Sequence, residues 1–336
     1  MTNVKNFVGI DVSKNYFDAA ILKNLGKQEF IHERFACDPD GLKSFAKWLK
    51  EHIAAAEETQ TVICMEHTGI YNWPVTKFLE DKQYVLCIEM AMQIKLSLGI
   101  QRGKNDKLDA KRIAEYACVQ QAKLKQWLPS GRLIEKLQHL MAARDRIVRV
   151  IKVIEVPLNE FKAVGNKEMF ELLNKTQKPI LTKMKKALCD IESQIKKTIN
   201  EDDTIKALYK TVTSVKGIGE VIGAYLLIYT KGFTIMVDKK KLGSYAGVVP
   251  FEHSSGKTIR KKSKTDKMTN AVLRRNLCMG AKSAMQWDPE IKAYAERKMK
   301  EGKTYAWCIT AVSNKLLARV VSCVKNQKEY VEKKVA

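Results

Sequence analysis

The chain has 336 residues, 45% of them hydrophobic, with a formal net charge of +23. That length and apolar content suit two or three packed domains and exclude wholesale disorder. A basic surplus spread along the whole chain calls for a polyanionic partner; the lack of an uninterrupted stretch of about 18 apolar residues, and of a signal-peptide core, favours nucleic acid over membrane.

Asn6 to Val12 and Tyr16 to Leu22 read as two strands joined by a tight turn at Ser13-Lys14-Asn15, and Phe30 to Phe35 alternates as a third strand. Leu42, Phe45, Trp48, Leu49 and Ile53 recur at helical spacing. Thr61 to Met65 is a short apolar run expected to be a strand buried on both faces. A helix near Trp73 to Leu79 and a strand from Tyr84 to Ile88 follow, which predicts a mixed α/β sheet up to about residue 125. Leu133, Leu137, Leu140, Arg144, Ile147, Ile151, Ile154 and Leu158 form a heptad seam with one polar interruption. Leu181, Met184, Leu188, Ile191 and Ile195 repeat it, with Asn166 and Pro179 expected between the two stretches. The seams predict a helical hairpin, a dimerising coiled coil, or an amphipathic bundle. The region after residue 206 reads as helices broken by a Gly-rich turn and a basic loop. Trp287, Tyr294, Tyr305 and Trp307 suit either core or base-stacking positions, core being the commoner use.

The eight cysteines form no CxxC pair and read as buried free thiols of a reducing compartment, and the five histidines are dispersed. No zinc site is expected. The carboxylates are more informative. Asp11 closes the apolar strand Phe7-Val8-Gly9-Ile10, and Glu66 closes Val62-Ile63-Cys64-Met65. An acid ending a buried strand needs a partner or a metal, because an unpaired buried charge is costly. Asp106 and Asp109, three apart at a helix start, share a face, although Asp106 could equally be an N-cap. Four hard oxygen donors suit Mg²⁺ or Mn²⁺, and two such ions about 4 Å apart can steady both oxygens of a phosphodiester displacement.

Val215-Lys216-Gly217-Ile218-Gly219 precedes an apolar helix expected near Val221. It reads as a phosphate-binding turn of helix-hairpin-helix type, through Lys216, Gly217 and Gly219, or as a plain helix connection. Downstream, Lys257, Arg260, Lys261, Lys262, Lys264 and Lys267 face only Asp266, a phosphate-attracting stretch. Ser254 and Ser255 beside it have no general base nearby in sequence, and from chemistry alone read as turn residues.

Gly9-Ile10-Asp11-Val12-Ser13-Lys14, Glu66-His67-Thr68-Gly69-Ile70-Tyr71 and Lys104-Asn105-Asp106-Lys107-Leu108-Asp109-Ala110 together resemble the DEDD insertion-sequence transposases. This is the insertion-sequence one-ten family, which includes the Piv-type DNA invertases. Lys216-Gly217-Ile218-Gly219, Tyr245-Ala246-Gly247 with Pro250, and Ser255-Gly256 continue the resemblance in collinear order over nearly the whole chain. It implies a RuvC-like, RNase H-type α/β catalytic domain at residues 1–125, a coiled-coil middle at 126–205 and a mostly α transposase domain at 206–330. It further implies that Asp11, Glu66, Asp106 and Asp109 hold Mg²⁺, that Ser255 (with Ser254 beside it) attacks DNA to form a phosphoserine intermediate, and that a structured non-coding bridge RNA pairs with donor and target DNA. The metal site and Ser255 would meet within one chain or across a homo-oligomer, dimer or tetramer, in the cell interior with the nucleoid. Three other readings compete. A metal nuclease or junction resolvase would use the same acids without covalent chemistry. A sugar kinase or actin-type ATPase needs a second Gly-rich phosphate loop, which is not evident, and +23 is unusual for it. A non-catalytic nucleic-acid scaffold would have no use for all four acids.

Overall fold

In the computed structural model, residues 4–80, 82, 84–99, 103, 105–255, 259–265 and 269–332 are described, with backbone only from 251 to 264. The chain forms two compact units, residues 1–129 and 130–336.

The first unit is built on a five-stranded sheet of order β3-β2-β1-β4-β5. Its strands are β1 (Asn6–Val12), β2 (Tyr16–Asn24), β3 (Glu29–Ala36), β4 (Thr61–Glu66) and β5 (Val85–Glu89). β1, β2 and β3 form an antiparallel meander, while β4 and β5 join β1 in parallel. α1 (Pro39–His52) and α2 (Trp73–Glu80) lie between strands, and α3 (Ala91–Ser97) and α4 (Asp106–Val119) follow β5. Strand residues alternate faces, and the two apolar sets divide accordingly. Val8, Ile10, Ile63 and Met65 pack with Phe45, Trp48, Leu49, Val75 and Leu79 of α1 and α2. Phe7, Val62, Cys64 and Cys87 pack with Ile113, Ala114 and Ala117 of α4. Asp11 follows Phe7 and Gly9 at period two, so it belongs to the α4 face.

Contact between α4 and β1 depends on Gly9. A Cβ there would lie 2.2 Å from the Ala110 carbonyl oxygen and 2.3 Å from the Ala114 nitrogen. Only a residue without a side chain lets the helix come this close. Asn105, not Asp106, caps α4, its side chain accepting from the Leu108 N–H. Asp106 and Asp109 therefore stand in the first turn, where the helix dipole favours negative charge.

The second unit begins with a hairpin of two long helices, α5 (Arg132–Ala163) and α6 (Lys167–Asn200). Asn166 caps α6, and Pro179 lies inside it rather than between the helices. The polar interruption of the seam is satisfied, since Arg144 donates from Nε to Glu192 at 2.8 Å. The hairpin base, through Ile134, Leu137, Met141, Ile195 and Ile199, joins the main core of the unit, whereas Ile151, Leu158 and Leu181 form a small core of their own.

The remaining elements are α7 (Asp203–Thr213), α8 (Glu220–Thr230), α9 (Lys239–Tyr245), the antiparallel pair β6 (Phe251–Ser255) and β7 (Ile259–Lys264), α10 (Ala271–Trp287), α11 (Pro289–Lys300) and α12 (Tyr305–Asn326). The stretch expected as a basic loop is thus a β-hairpin. α12 is long and apolar enough by composition to cross a membrane. Its Val312, Leu316, Leu317, Val320 and Val321 are nevertheless part of the core. Trp287, Tyr305 and Trp307 are exposed, contrary to the commoner expectation for such residues, and Tyr294 packs partly against the core. All eight cysteines are free; Cys64, Cys87, Cys308 and Cys323 are buried, and Cys189 is exposed.

Gly9→Ala should destabilise the first unit by about 1–3 kcal/mol or more, because backbone atoms, not a flexible side chain, block the new methyl. The measurement is the urea midpoint. Gly26→Ala is the control, as its nearest atom would be the Asn24 Oδ1 at 3.6 Å, and it should leave the midpoint nearly unchanged.

Candidate active site

β1 and β4 are parallel and in register, with Ile10 beside Met65, so Asp11 and Glu66 come level at the C-terminal ends of neighbouring strands. β1 is also where the sheet changes from antiparallel to parallel pairing. Ligands of open α/β sheets bind at such strand ends. α4 presents Asp106 and Asp109 from the same face of the sheet.

The electrostatics record this convergence. Burial, and then the charges of Asp109, Glu66, Asp106 and Asp18 in decreasing order, push the Asp11 carboxyl from 3.8 up to about 6. Two of the acids are neutralised by cations. Asp106 Oδ2 accepts from Tyr16 Oη at 3.1 Å and from Arg34 at 3.3 Å, and Asp109 Oδ1 accepts from Arg112 at 3.0 Å. Among the described residues no three His, Cys, Asp or Glu side chains are drawn tightly enough together to hold a metal ion. The donor set itself is chemically suited to a hard divalent cation: all oxygen, concentrated, and charged enough to raise the proton affinity of its innermost member.

Asp18 was not anticipated from the sequence. It is fully buried, lies opposite Asp11 in the β1–β2 register, and is held by His32 at 2.6 Å and Arg34 at 2.9 Å. Arg34 also lies over the Tyr16 ring at 4.2 Å, so one guanidinium links Asp18, Tyr16 and Asp106. A lone acid in the middle of the otherwise apolar run Tyr16 to Leu22 was the available clue. Glu89 was missed as well. It ends β5 beside Glu66, and burial raises its pKa against the lowering influence of Lys125 and Tyr116.

In the second unit, Ser254 and Ser255 are the last residues of β6, paired with Arg260 and Ile259 of β7. Lys261, Lys262 and Lys264 share β7, and Lys257 lies outside the described residues. Gly217, at a φ of 90°, turns the chain before α8 and meets α10. A Cβ on Gly217 would be 2.7 Å from the Gly280 carbonyl oxygen, and one on Gly280 would be 2.2 Å from that of Gly217. Gly219 is the N-cap residue of α8 and is open to additional atoms. Lys216 Nζ is paired with Glu332 at 2.5 Å.

Asp11→Asn should stabilise the chain in EDTA at neutral pH by about 1 kcal/mol, a figure discounted for the partial exposure of the group. The sign follows from the raised pKa. Below about pH 3.8 the carboxyl is protonated in both states and the variants should match. Between there and about 6 the unfolded chain gives up its proton first, so the Asp form loses stability; above about 6 the gap is constant. Melting curves across pH 3–8 measure it, and a gap that stayed flat or reversed would contradict this charge cluster.

Residues 8–153 match a DEDD-type transposase family model, and residues 209–296 match a model described as transposase of the IS116/IS110/IS902 family. Together the two span well over half of the chain. The pilin gene-inverting protein of Moraxella bovis is 24% identical over 97% of this chain and 98% of its own length, and that of Moraxella lacunata aligns equally. An insertion element IS110 protein of Streptomyces coelicolor is 26% identical over 35% of this chain and 29% of its own. The first match implies a RuvC-like fold, with which the mixed five-stranded sheet agrees. The chain belongs to the IS110 family of transposases and recombinases, enzymes that act on DNA.

Proposed function

We propose that this enzyme cleaves and exchanges DNA strands through attack by Ser255, assisted by Mg²⁺ held by Asp11, Glu66, Asp106 and Asp109, and that a structured non-coding RNA directs it to donor and target DNA. The carboxylate cluster is the observation that carries the proposal. Asp11, raised to about 6 by burial and then by the charges of Asp109, Glu66 and Asp106, sits in an arrangement that folding alone does not need. When bound, a divalent ion would supply Lewis-acid polarisation of the scissile phosphate.

The chain's own residues do the rest. The Ser255 hydroxyl gives up its proton as Oγ bonds to phosphorus. The phosphorus–oxygen bond to the departing strand breaks, and that strand's oxygen takes up a proton. Attack by the hydroxyl of the incoming strand reverses these steps, freeing Ser255 and remaking a phosphodiester without ATP. Arg260, Lys261, Lys262 and Lys264 on β7, with Lys257, would bind backbone phosphates around the nucleophile. The turn at Lys216, Gly217 and Gly219 would take another phosphate. Lys216 would first have to leave Glu332, and Gly217 already serves packing against Gly280. Arg34 and Arg112 would have to release Asp106 and Asp109 for these carboxylates to hold a cation.

The +23 charge supports a load of two nucleic acids. The α5–α6 hairpin, with exposed Val150, Val153 and Val156 along α5, supports assembly into a dimer or tetramer. The division into catalytic residues 1–125, hairpin 126–205 and transposase part 206–330 is kept as a functional one. A metal nuclease or junction resolvase without the serine step is the alternative.

Incubating the protein with Mg²⁺, RNA transcribed from its element and labelled donor DNA, then resolving on denaturing gels, tests the proposal. A protein–DNA adduct is expected, lost in Ser255→Ala and Asp11→Ala, retained in Ser254→Ala, and dependent on the RNA. Cleaved DNA with no adduct, unchanged in Ser255→Ala, would leave the metal nuclease. An adduct independent of the RNA would remove the guide.

A further inference from the structure

The strand end that carries Glu66 leads into an unusual turn. Its polar residue is inside and its large apolar residues are outside. Asn72 is 6% exposed; its Nδ2 donates to the Glu66 backbone carbonyl at 2.7 Å, and its Oδ1 accepts from the Thr68 N–H at 3.0 Å. The Thr76 hydroxyl donates to the Asn72 carbonyl, fastening the turn to α2. Ile70, Tyr71 and Trp73 are left 67%, 45% and 56% exposed. The buried face of α2 is already supplied by Val75, Thr76 and Leu79, so folding does not require these three.

The neighbouring strand repeats the pattern. β5 runs parallel to β4 with Glu89 beside Glu66, and the His67 N–H donates to the Glu89 carbonyl at 2.9 Å. Both strands therefore leave the sheet at the same end. Past β5, Met90 and then Met92 and Leu96 of α3 are also exposed. Apolar surface gathered at one edge marks a binding site more often than chance.

We infer that Tyr71 and Trp73 form a stacking platform for unpaired bases of the DNA strand whose phosphate lies at the carboxylates, extended by Met90, Met92 and Leu96. The inference rests on the reading of the Asp11–Glu66 cluster as the cleavage site, and not on the serine step. Three observations favour a nucleic-acid strand as the occupant. The platform begins five residues after Glu66, a carboxylate assigned to phosphodiester chemistry. Aromatic faces and thioethers suit flat, polarisable bases without selecting among them. Lys95 on α3 and Lys107 on α4, elements that pack together, make no ion pair among the described residues and would meet the backbone phosphates. Exchange of strands requires the bases beside the break to leave their partners, and stacking on protein offsets part of that unstacking cost.

The test uses the full-length protein in EDTA and a single-stranded oligonucleotide containing 2-aminopurine, with fluorescence titration and sedimentation in parallel. Wild type should quench the probe on binding. Trp73→Ala and Trp73→Leu should weaken binding roughly 5- to 100-fold, with Trp73→Phe restoring most of it and Tyr71→Ala falling between; duplex affinity should change little. Because Trp73 is exposed, melting temperatures should match wild type, and any variant that melts early is replaced by Tyr71→Leu against Tyr71→Phe. Trp73→Leu binding like wild type, or no quenching in wild type, would overturn the platform. A changed sedimentation coefficient in Trp73→Ala at unchanged oligonucleotide affinity would likewise overturn it and assign the patch to a second copy of the chain. Ser255→Ala should quench normally. If the variants bind like wild type while the adduct still forms, only the platform fails; if DNA is cleaved without an adduct while quenching persists, only the serine step fails.

Discussion

The approach of α4 to β1 at Gly9 is the contact on which the first unit turns. A helix normally stands off a sheet by the thickness of two side-chain layers, but here the Ala110 carbonyl and Ala114 nitrogen occupy the space a Cβ would need. The small residues Ala110, Ala114 and Ala117 continue the same low face along α4. This closeness brings the first turn of the helix down to the strand ends. Asp106 and Asp109 then add their charge to that of Asp11 and Glu66.

Such a concentration of negative charge has to be held by the protein. The chain manages it with two arginines and a histidine. Arg34 binds Asp18 and Asp106 and lies over Tyr16, His32 closes the other side of Asp18, and Arg112 takes Asp109. Asp11, partly buried among these acids, carries the cost as a raised proton affinity. Guanidinium groups suit this use because they stay charged and bind carboxylates through several donors. They are also exchangeable, since Arg34 is half exposed.

In the second unit a different close approach does comparable work. Gly217 and Gly280 face each other without side chains, so the turn before α8 is pressed against α10. The base of the α5–α6 hairpin is part of the same core as α8, α10 and α12, while its far end depends on three buried residues, Ile151, Leu158 and Leu181. The far end is accordingly the part of the hairpin with least apolar burial of its own, and Val150, Val153 and Val156 there are exposed.

Much of the local structure was legible in the sequence. Short apolar runs and one period-two alternation located the five strands, and helical spacing located α1, α2 and the two seams of the α5–α6 hairpin, because burial of an element selects apolar residues at its inward positions. The strand-end positions of Asp11 and Glu66 and the pairing of Asp106 with Asp109 could be read for the same reason. Other features depended on partners distant in the chain. Asp18 becomes a member of the acid group only through the cross-strand register that sets it opposite Asp11. Asp106 lost the cap to Asn105 through one side-chain hydrogen bond. Pro179 reads as a breaker, yet its helix continues. The basic stretch after Pro250 has no apolar alternation to announce β6 and β7. Apolar patterning reports which side of an element is buried, and so the sequence by itself determined the elements that carry such a pattern and their inward faces. Only the tertiary structure decided which charges meet, since that depends on backbones approaching one another where glycine leaves room.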